Sequence, residues 1–160
     1  MRESLKAGLN FGMTSGVITT LGLMVGLHSG TRSALAVIGG ILTIAVADSL
    51  SDAMGVHVSK EGEGGHGDRE IWLATAATFV TKLVIAATFV VPVLLLELGP
   101  AILAGVAWGA ALIAGMSWVI ARTQGADPKG VILEHLAVAA VVVVATHFFG
   151  EWIGWYFREG

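Results

Sequence analysis

The chain has 160 residues, 55% of them apolar and only 13% charged, with 22 glycines, no cysteine and a mean hydropathy of +0.81. Soluble domains carry about 25% charged residues, and chains this short bury only about two-thirds of their surface, so a water-soluble monomer, a disordered tail and a disulfide-built secreted domain are excluded and a membrane protein remains. Twelve acidic against nine basic residues, a net charge of −3, argue against nucleic acid as a partner, and the lack of cysteine excludes thiolate metal sites.

A hydrocarbon core of about 30 Å takes roughly 20 apolar helical residues. Five stretches qualify, at about 8–28, 33–58, 71–96, 101–121 and 131–155. They are too long, and too poor in alternation, to be membrane strands. The expected fold is therefore an all-α polytopic membrane protein, one bundle of five transmembrane helices with no linker between domains.

The first span contains no Asp, Glu, Lys or Arg. Glycine recurs every four residues in it, at Gly8, Gly12 and Gly16 and again at Gly22, Gly26 and Gly30. Such spacing lets helix backbones approach closely in lipid, either within one subunit or across a homodimer contact. Gly105/Gly109 and Gly150/Gly154 repeat it in the fourth and fifth spans. Asn10, Thr14, Ser15, Thr19 and Thr20 make the first helix unusually polar. Hydroxyls at such positions can line a path, and they also satisfy backbone carbonyls in ordinary helices. Arg2 and Lys6 before the apolar run, with Ala34-Leu35-Ala36 after it, raise the question of a cleaved signal peptide. The run is too long for a signal core and the triplet lies inside the next hydrophobic segment, so the span is expected to be retained.

The second span carries two acids, Asp48 and Asp52. Four residues apart, they stack on one helix face about 6 Å from each other. Ser51 and Gly55 share that face, whereas Ser49 and His57 are expected to point elsewhere. A charge at bilayer depth costs at least about 2.5 kcal/mol and normally has a task. Two carboxylates one turn apart can chelate a divalent cation through oxygen or share a single proton. The third span holds Lys82 at nearly the depth of Asp48. The lysine either neutralises the acid as a fixed ion pair or serves as a counter-ion that an incoming metal displaces.

Between these spans, residues 59–70 read as a twelve-residue loop at the N-terminal side of the membrane, with Lys60, Glu61, Glu63, His66, Asp68, Arg69 and Glu70. It is either a solvated turn or a vestibule in which Glu61, Glu63 and His66 gather a metal. In the fifth span His147 and Glu151 stand one turn apart near the other side, either as an outer relay or as an interfacial hydrogen bond beside the aromatic belt of Trp152, Trp155 and Tyr156. Six Lys and Arg residues collect on the side of the N-terminus (Arg2, Lys6, Lys60, Arg69, Arg122, Lys129) and two on the other (Arg32, Arg158). The excess places the N-terminus in the cytoplasm. Small size and the lack of sorting signals suit a prokaryotic plasma membrane.

The run Asn10-Phe11-Gly12-Met13-Thr14-Ser15-Gly16-Val17, followed by Thr19-Thr20-Leu21-Gly22, and the segment Asp48-Ser49-Leu50-Ser51-Asp52-Ala53-Met54-Gly55 resemble the vacuolar iron transporter family. The resemblance spans most of the chain and is most specific in the first two spans. It implies a five-helix homodimer with its path between subunits, lined largely by the first helix. It also implies export of Fe²⁺ or Mn²⁺ from the cytoplasm in exchange for protons, with a metal-collecting region between the second and third spans. Where the family carries its pore aspartate this chain has Phe11, and Ser51 aligns near the family's pore methionine.

The expected function is export of Fe²⁺ or Mn²⁺ by proton exchange. Asp48 and Asp52 would hold the ion, Glu61, Glu63 and His66 would gather it, and Asn10, Thr14, Ser51 and Lys82 would lie along the route. The alternatives are a proton or monovalent cation carrier and a non-transporting scaffold locked by an Asp–Lys pair. No phosphate loop, nucleophile elbow or HExxH site points to an enzyme, and no permanently bound cofactor is expected. The expected partners are the lipid bilayer and a second copy of the chain.

Overall fold

The computed structural model describes residues 2–158. They form α1 (Arg2–Thr31), α2 (Ala34–Glu63), α3 (Asp68–Thr88), α4 (Val90–Leu95), α5 (Leu98–Gln124) and α6 (Pro128–Arg158), with no strand among the described residues. With α3 and α4 counted as one crossing, five helices are long and apolar enough to span a membrane. The protein is thus an all-helical chain suited to repeated membrane crossing.

Helix ends fall where the sequence supplies a stop. Ser33 caps α2 by accepting from the Ala36 N–H at 3.2 Å, which makes the connection after α1 a tight hairpin. Gly64 closes α2 at φ +68° and Gly125 closes α5 at φ +69°, positive values that glycine adopts without a Cβ penalty. Pro128 starts α6, where its missing N–H is not needed.

Two boundaries differ from the sequence expectation. The connection expected at 59–70 shrinks to Gly64–Gly67, because α2 continues through Lys60, Glu61 and Glu63 and α3 begins at Asp68. Pairs along the helix, His57–Glu61 at 3.7 Å and Lys60–Glu63 at 2.8 Å, support that extra turn, and the first breaker is Gly64. The third crossing breaks at Phe89. Pro92 cannot donate to the carbonyl four residues back, at Thr88, and the regular helix ends there.

At the centre, α1 packs against α3, α6, α2 and α5. Its two glycine rows set the register. Gly8, Gly12 and Gly16 face Ala74, Thr78 and Lys82 of α3, while Gly22, Gly26 and Gly30 face Val142, Thr146 and Gly150 of α6. Both partner rows also advance by four, so α1, α3 and α6 run parallel. A Cβ at Gly12 would lie 2.7 Å from the Thr78 carbonyl oxygen, closer than such atoms approach, so glycine is what permits this seam. Val17, Leu21, Met24, Ile41, Phe89 and Ile113 form the buried apolar core around it. On α6 the side chains of Leu133, Val141, Phe148, Trp152 and Trp155 lie exposed, as a lipid-facing surface requires.

On α2 the buried row is Val37, Ile41, Ala45, Ser49 and Ala53. Ser49 therefore points into the bundle. A different face of α2 presents Gly39, Thr43, Ala47, Ser51, Gly55 and Ser59, all small, all exposed and again four apart.

Candidate functional site

Three helices bring a compact polar group to the middle of the apolar bundle. Ser15 lies near the midpoint of α1, Asp48 and Asp52 lie near that of α2, and Lys82 lies near that of the α3–α4 crossing. Asp48 is fourteen residues after Ala34, roughly 21 Å along the helix. Lys82 is only 1% exposed and is the largest fully buried side chain. Its ammonium contacts the Oδ2 atoms of both Asp48 and Asp52 and donates to the Ser15 hydroxyl at 2.8 Å. Ser15 in turn donates to Asp52 Oδ2 at 2.6 Å.

The two acids are not equivalent. Lys82 donates a hydrogen bond to Asp52, whereas Asp48 meets the ammonium off the hydrogen-bonding direction. Asp48 is held by charge alone, and Asp52 by charge and two donors. The group sets two acidic side chains against one basic one. Removing either sign from such a cluster is costly, because it strands the other.

Each acid also faces a cleft. One, of about 600 Å³, brings Asp48 together with Leu23, Leu27, Gly40, Thr43 and Ser51, on the hairpin side of the acids. The other, of about 480 Å³, brings Asp52 together with Ala7, Phe11, Ser51, Gly55 and Lys60, on the Lys60 side of the acids. Ser51 lines both. The carboxylate side chains keep 28% and 22% of their exposure, while Lys82 lines neither cleft.

The remaining predicted residues distribute as follows. Lys60, on the wall of the second cleft, donates to Glu63 at 2.8 Å, and His66 lies 3.1 Å from the same Glu63 oxygen. Glu61 turns instead to His57 at 3.7 Å, so the three expected collecting residues split into two groups. Thr14 spends its hydroxyl on the Asn10 carbonyl at 2.8 Å and on Met116 Sδ at 3.1 Å, which directs it to α5 rather than to the acids. Asn10 is exposed. His147 shares a hydrogen bond with Ser29 at 2.7 Å and stands 3.8 Å from Glu151, pinning α6 to α1 at the hairpin end.

Ser15, which the sequence offers only as one of five polar side chains of the first helix, is the member of the group not placed along the expected route. A hydroxyl on a polar helix face signals that it can pair, but not with what. Among the described residues no three His, Cys, Asp or Glu side chains converge on one point. Convergence occurs instead around the ammonium, where two carboxylates and a hydroxyl surround one cation. Compared with family models, curated proteins and solved structures, the chain matches none.

Proposed function

We propose that the protein is a membrane carrier that exports a divalent cation, Fe²⁺ or Mn²⁺, from the cytoplasm in exchange for protons. One observation carries this reading: an oxygen-lined cation position at the middle of the bundle, filled by a lysine, with a cleft beside each acid. Two carboxylates and a hydroxyl are ligands suited to a hard or borderline divalent ion. The excess of Lys and Arg at the Lys60 end supports a cytoplasmic N-terminus, which makes the Asp52 cleft the entry and the Asp48 cleft the exit. Glu63 and His66 then stand at the cytoplasmic mouth. A prokaryotic plasma membrane fits such a carrier.

The carrier works as a homodimer in this proposal. A carboxylate exposed to lipid costs at least about 2.5 kcal/mol, and both acids lie along the small-residue face of α2. A second copy seated on that face would close the clefts laterally and take the acids out of contact with lipid.

The test is Mn²⁺ flux into or out of liposomes holding the wild-type protein or the Asp48→Asn, Asp52→Asn double variant. Flux in the wild type and none in the variant is expected; equal flux in both overturns the proposal. The burial of Lys82 between the acids favours one rival, a scaffold whose ion pairs are purely structural. That rival predicts liposomes no more permeable to Mn²⁺ than protein-free ones.

A further inference from the structure

The hairpin half of the bundle carries a third hollow, an apolar groove of about 500 Å³. Its floor is the Gly22, Gly26 and Gly30 row of α1, one wall is Phe149 and Ile153 of α6, and Ile44 of α2 stands on the other side. Phe149 and Ile153 are exposed, so the groove is open to lipid along that wall. Three threonines reach it, yet each donates its hydroxyl to its own helix: Thr19 to the Ser15 carbonyl at 2.8 Å, Thr31 to the Leu27 carbonyl at 2.7 Å and Thr146 to the Val142 carbonyl at 2.8 Å. What remains facing the groove is hydrocarbon. From Ile18 to Thr31 it follows thirteen residues of α1, about 20 Å. One leaflet of a bilayer with a hydrocarbon core of about 30 Å is about 15 Å deep, so the groove has the length of an acyl chain and runs along the depth of one leaflet.

At the hairpin end the groove meets Arg32. This residue follows Thr31 directly and holds φ +51°, a left-handed conformation that glycine adopts freely and a side chain makes costly. Its side chain is exposed, and among the described residues no carboxylate pairs with it. Glu151 of the neighbouring α6 turns to His147 instead, at 3.8 Å. An unpaired guanidinium at the polar end of a hydrocarbon slot is complementary to an amphiphile with an anionic head and a long apolar tail. We propose that the groove binds an anionic phospholipid of the hairpin-side leaflet, with one acyl chain along the Gly22, Gly26 and Gly30 row and the phosphate at Arg32. A guanidinium offers phosphate a planar fork of two parallel N–H donors. α6 is the least buried of the five crossings, and a lipid seated in the groove would add a contact that holds it to α1. The groove uses no charge of the Lys82 group, so it serves a membrane-spanning chain whether or not that chain carries an ion.

The experiment is thermal melting of the full chain in detergent, titrated with dioleoyl phosphatidylglycerol, dioleoyl phosphatidylcholine or dihexanoyl phosphatidylglycerol. A lipid that binds the folded state raises the melting temperature. The long-chain anionic lipid should do so at a concentration about tenfold or more below that of the choline lipid, the scale set by hydrogen bonds to a charged group. The short-chain anionic lipid, which leaves the groove empty, should have little effect at the same concentration. Arg32→Gln and Arg32→Gly should abolish the preference between the two dioleoyl lipids, and Arg32→Lys should keep it. Arg32→Gly should melt no lower than wild type without lipid, because glycine relieves the backbone at that position. Phe149→Ala, which removes part of the exposed wall, should weaken binding of both dioleoyl lipids and leave their order unchanged. Equal potency of the two dioleoyl lipids, or a preference that survives Arg32→Gln, overturns the proposal. So does a short-chain lipid as potent as the long-chain one. Should Phe149→Ala turn a dimer into a monomer by light scattering and leave lipid binding unaltered, the groove belongs to a second copy of the chain and the lipid site is overturned.

Discussion

Two helices carry the same pattern of small residues and use it in opposite ways. On α1 the glycines at 8, 12, 16, 22, 26 and 30 are filled by the chain itself, an added Cβ at each lying within 3.4 Å of an atom of α3 or α6. On α2 the row Gly39, Thr43, Ala47, Ser51, Gly55 and Ser59 is exposed, and a Cβ at Gly39 or Gly55 would meet nothing within 4 Å. A four-residue spacing of small side chains shows that a helix can be approached closely. It does not show by what. The chemical difference between the rows is charge: the α1 rows contain none, while the α2 row runs beside Asp48 and Asp52. Under the proposed function, that open face beside the acids is where the ion and a second subunit would meet.

The largest effect should come where the two helices join through α3. Gly16, the last glycine of the first α1 row, lies on Lys82, and Lys82 holds both α2 acids. Lys82→Met leaves two carboxylates facing each other without a counter-charge, and one-sided loss in a buried cluster costs about 3–5 kcal/mol. A melting temperature well below wild type is expected in detergent at neutral pH. Adding Asp48→Asn to Lys82→Met, or adding Mn²⁺, should raise it again. No drop in the single variant would mean that the acids are well enough solvated through the clefts to do without the lysine.

A smaller loss should mark the α1 seam. The Gly150 Cα faces the Gly26 carbonyl across α1 and α6, leaving no room for a methyl group. Gly150→Ala forces the helices apart, and overpacking of this kind costs about 1–3 kcal/mol. Thermal unfolding of the purified protein measures it directly. The same change should loosen the Ser29–His147 hydrogen bond, which ties the same two helices at the same end.

The sequence made the crossings legible because length and apolarity are set by the bilayer, and all five predicted spans lie within observed crossings apart from Ser33, which caps α2, and Leu96 at the end of the third. Helix ends were less legible. Apolarity marks where lipid begins, whereas α2 stops only at Gly64, a turn and a half past Val58. At the site, the stacking of Asp48 with Asp52 and the matching depth of Lys82 follow from helix geometry, so their meeting could be anticipated as one of two outcomes. The Ser15 contact could not, since it depends on the rotation of α1 about its axis, which the glycine seam with α3 fixes. The same rotation sends Thr14, one residue away, toward Met116 instead.

The smallest effect is the one that most sharpens the contrast between the two rows. Gly39→Ala and Gly55→Ala place a methyl group where the chain leaves open space, so the stability of the isolated subunit should stay within about 0.5 kcal/mol of wild type. If a second copy docks on this face, a larger side chain has a different consequence: Gly55→Trp leaves the melting of the monomer unchanged but shifts the protein from dimer to monomer, as light scattering of the detergent-solubilised chain would record. A Trp variant that remains dimeric places the subunit contact elsewhere, and the acids would then need another cover. Loss of monomer stability in the alanine variants would show that α2 moves against its own chain and that the clefts close from within. The pair of substitutions therefore separates a face reserved for a partner from one reserved for motion.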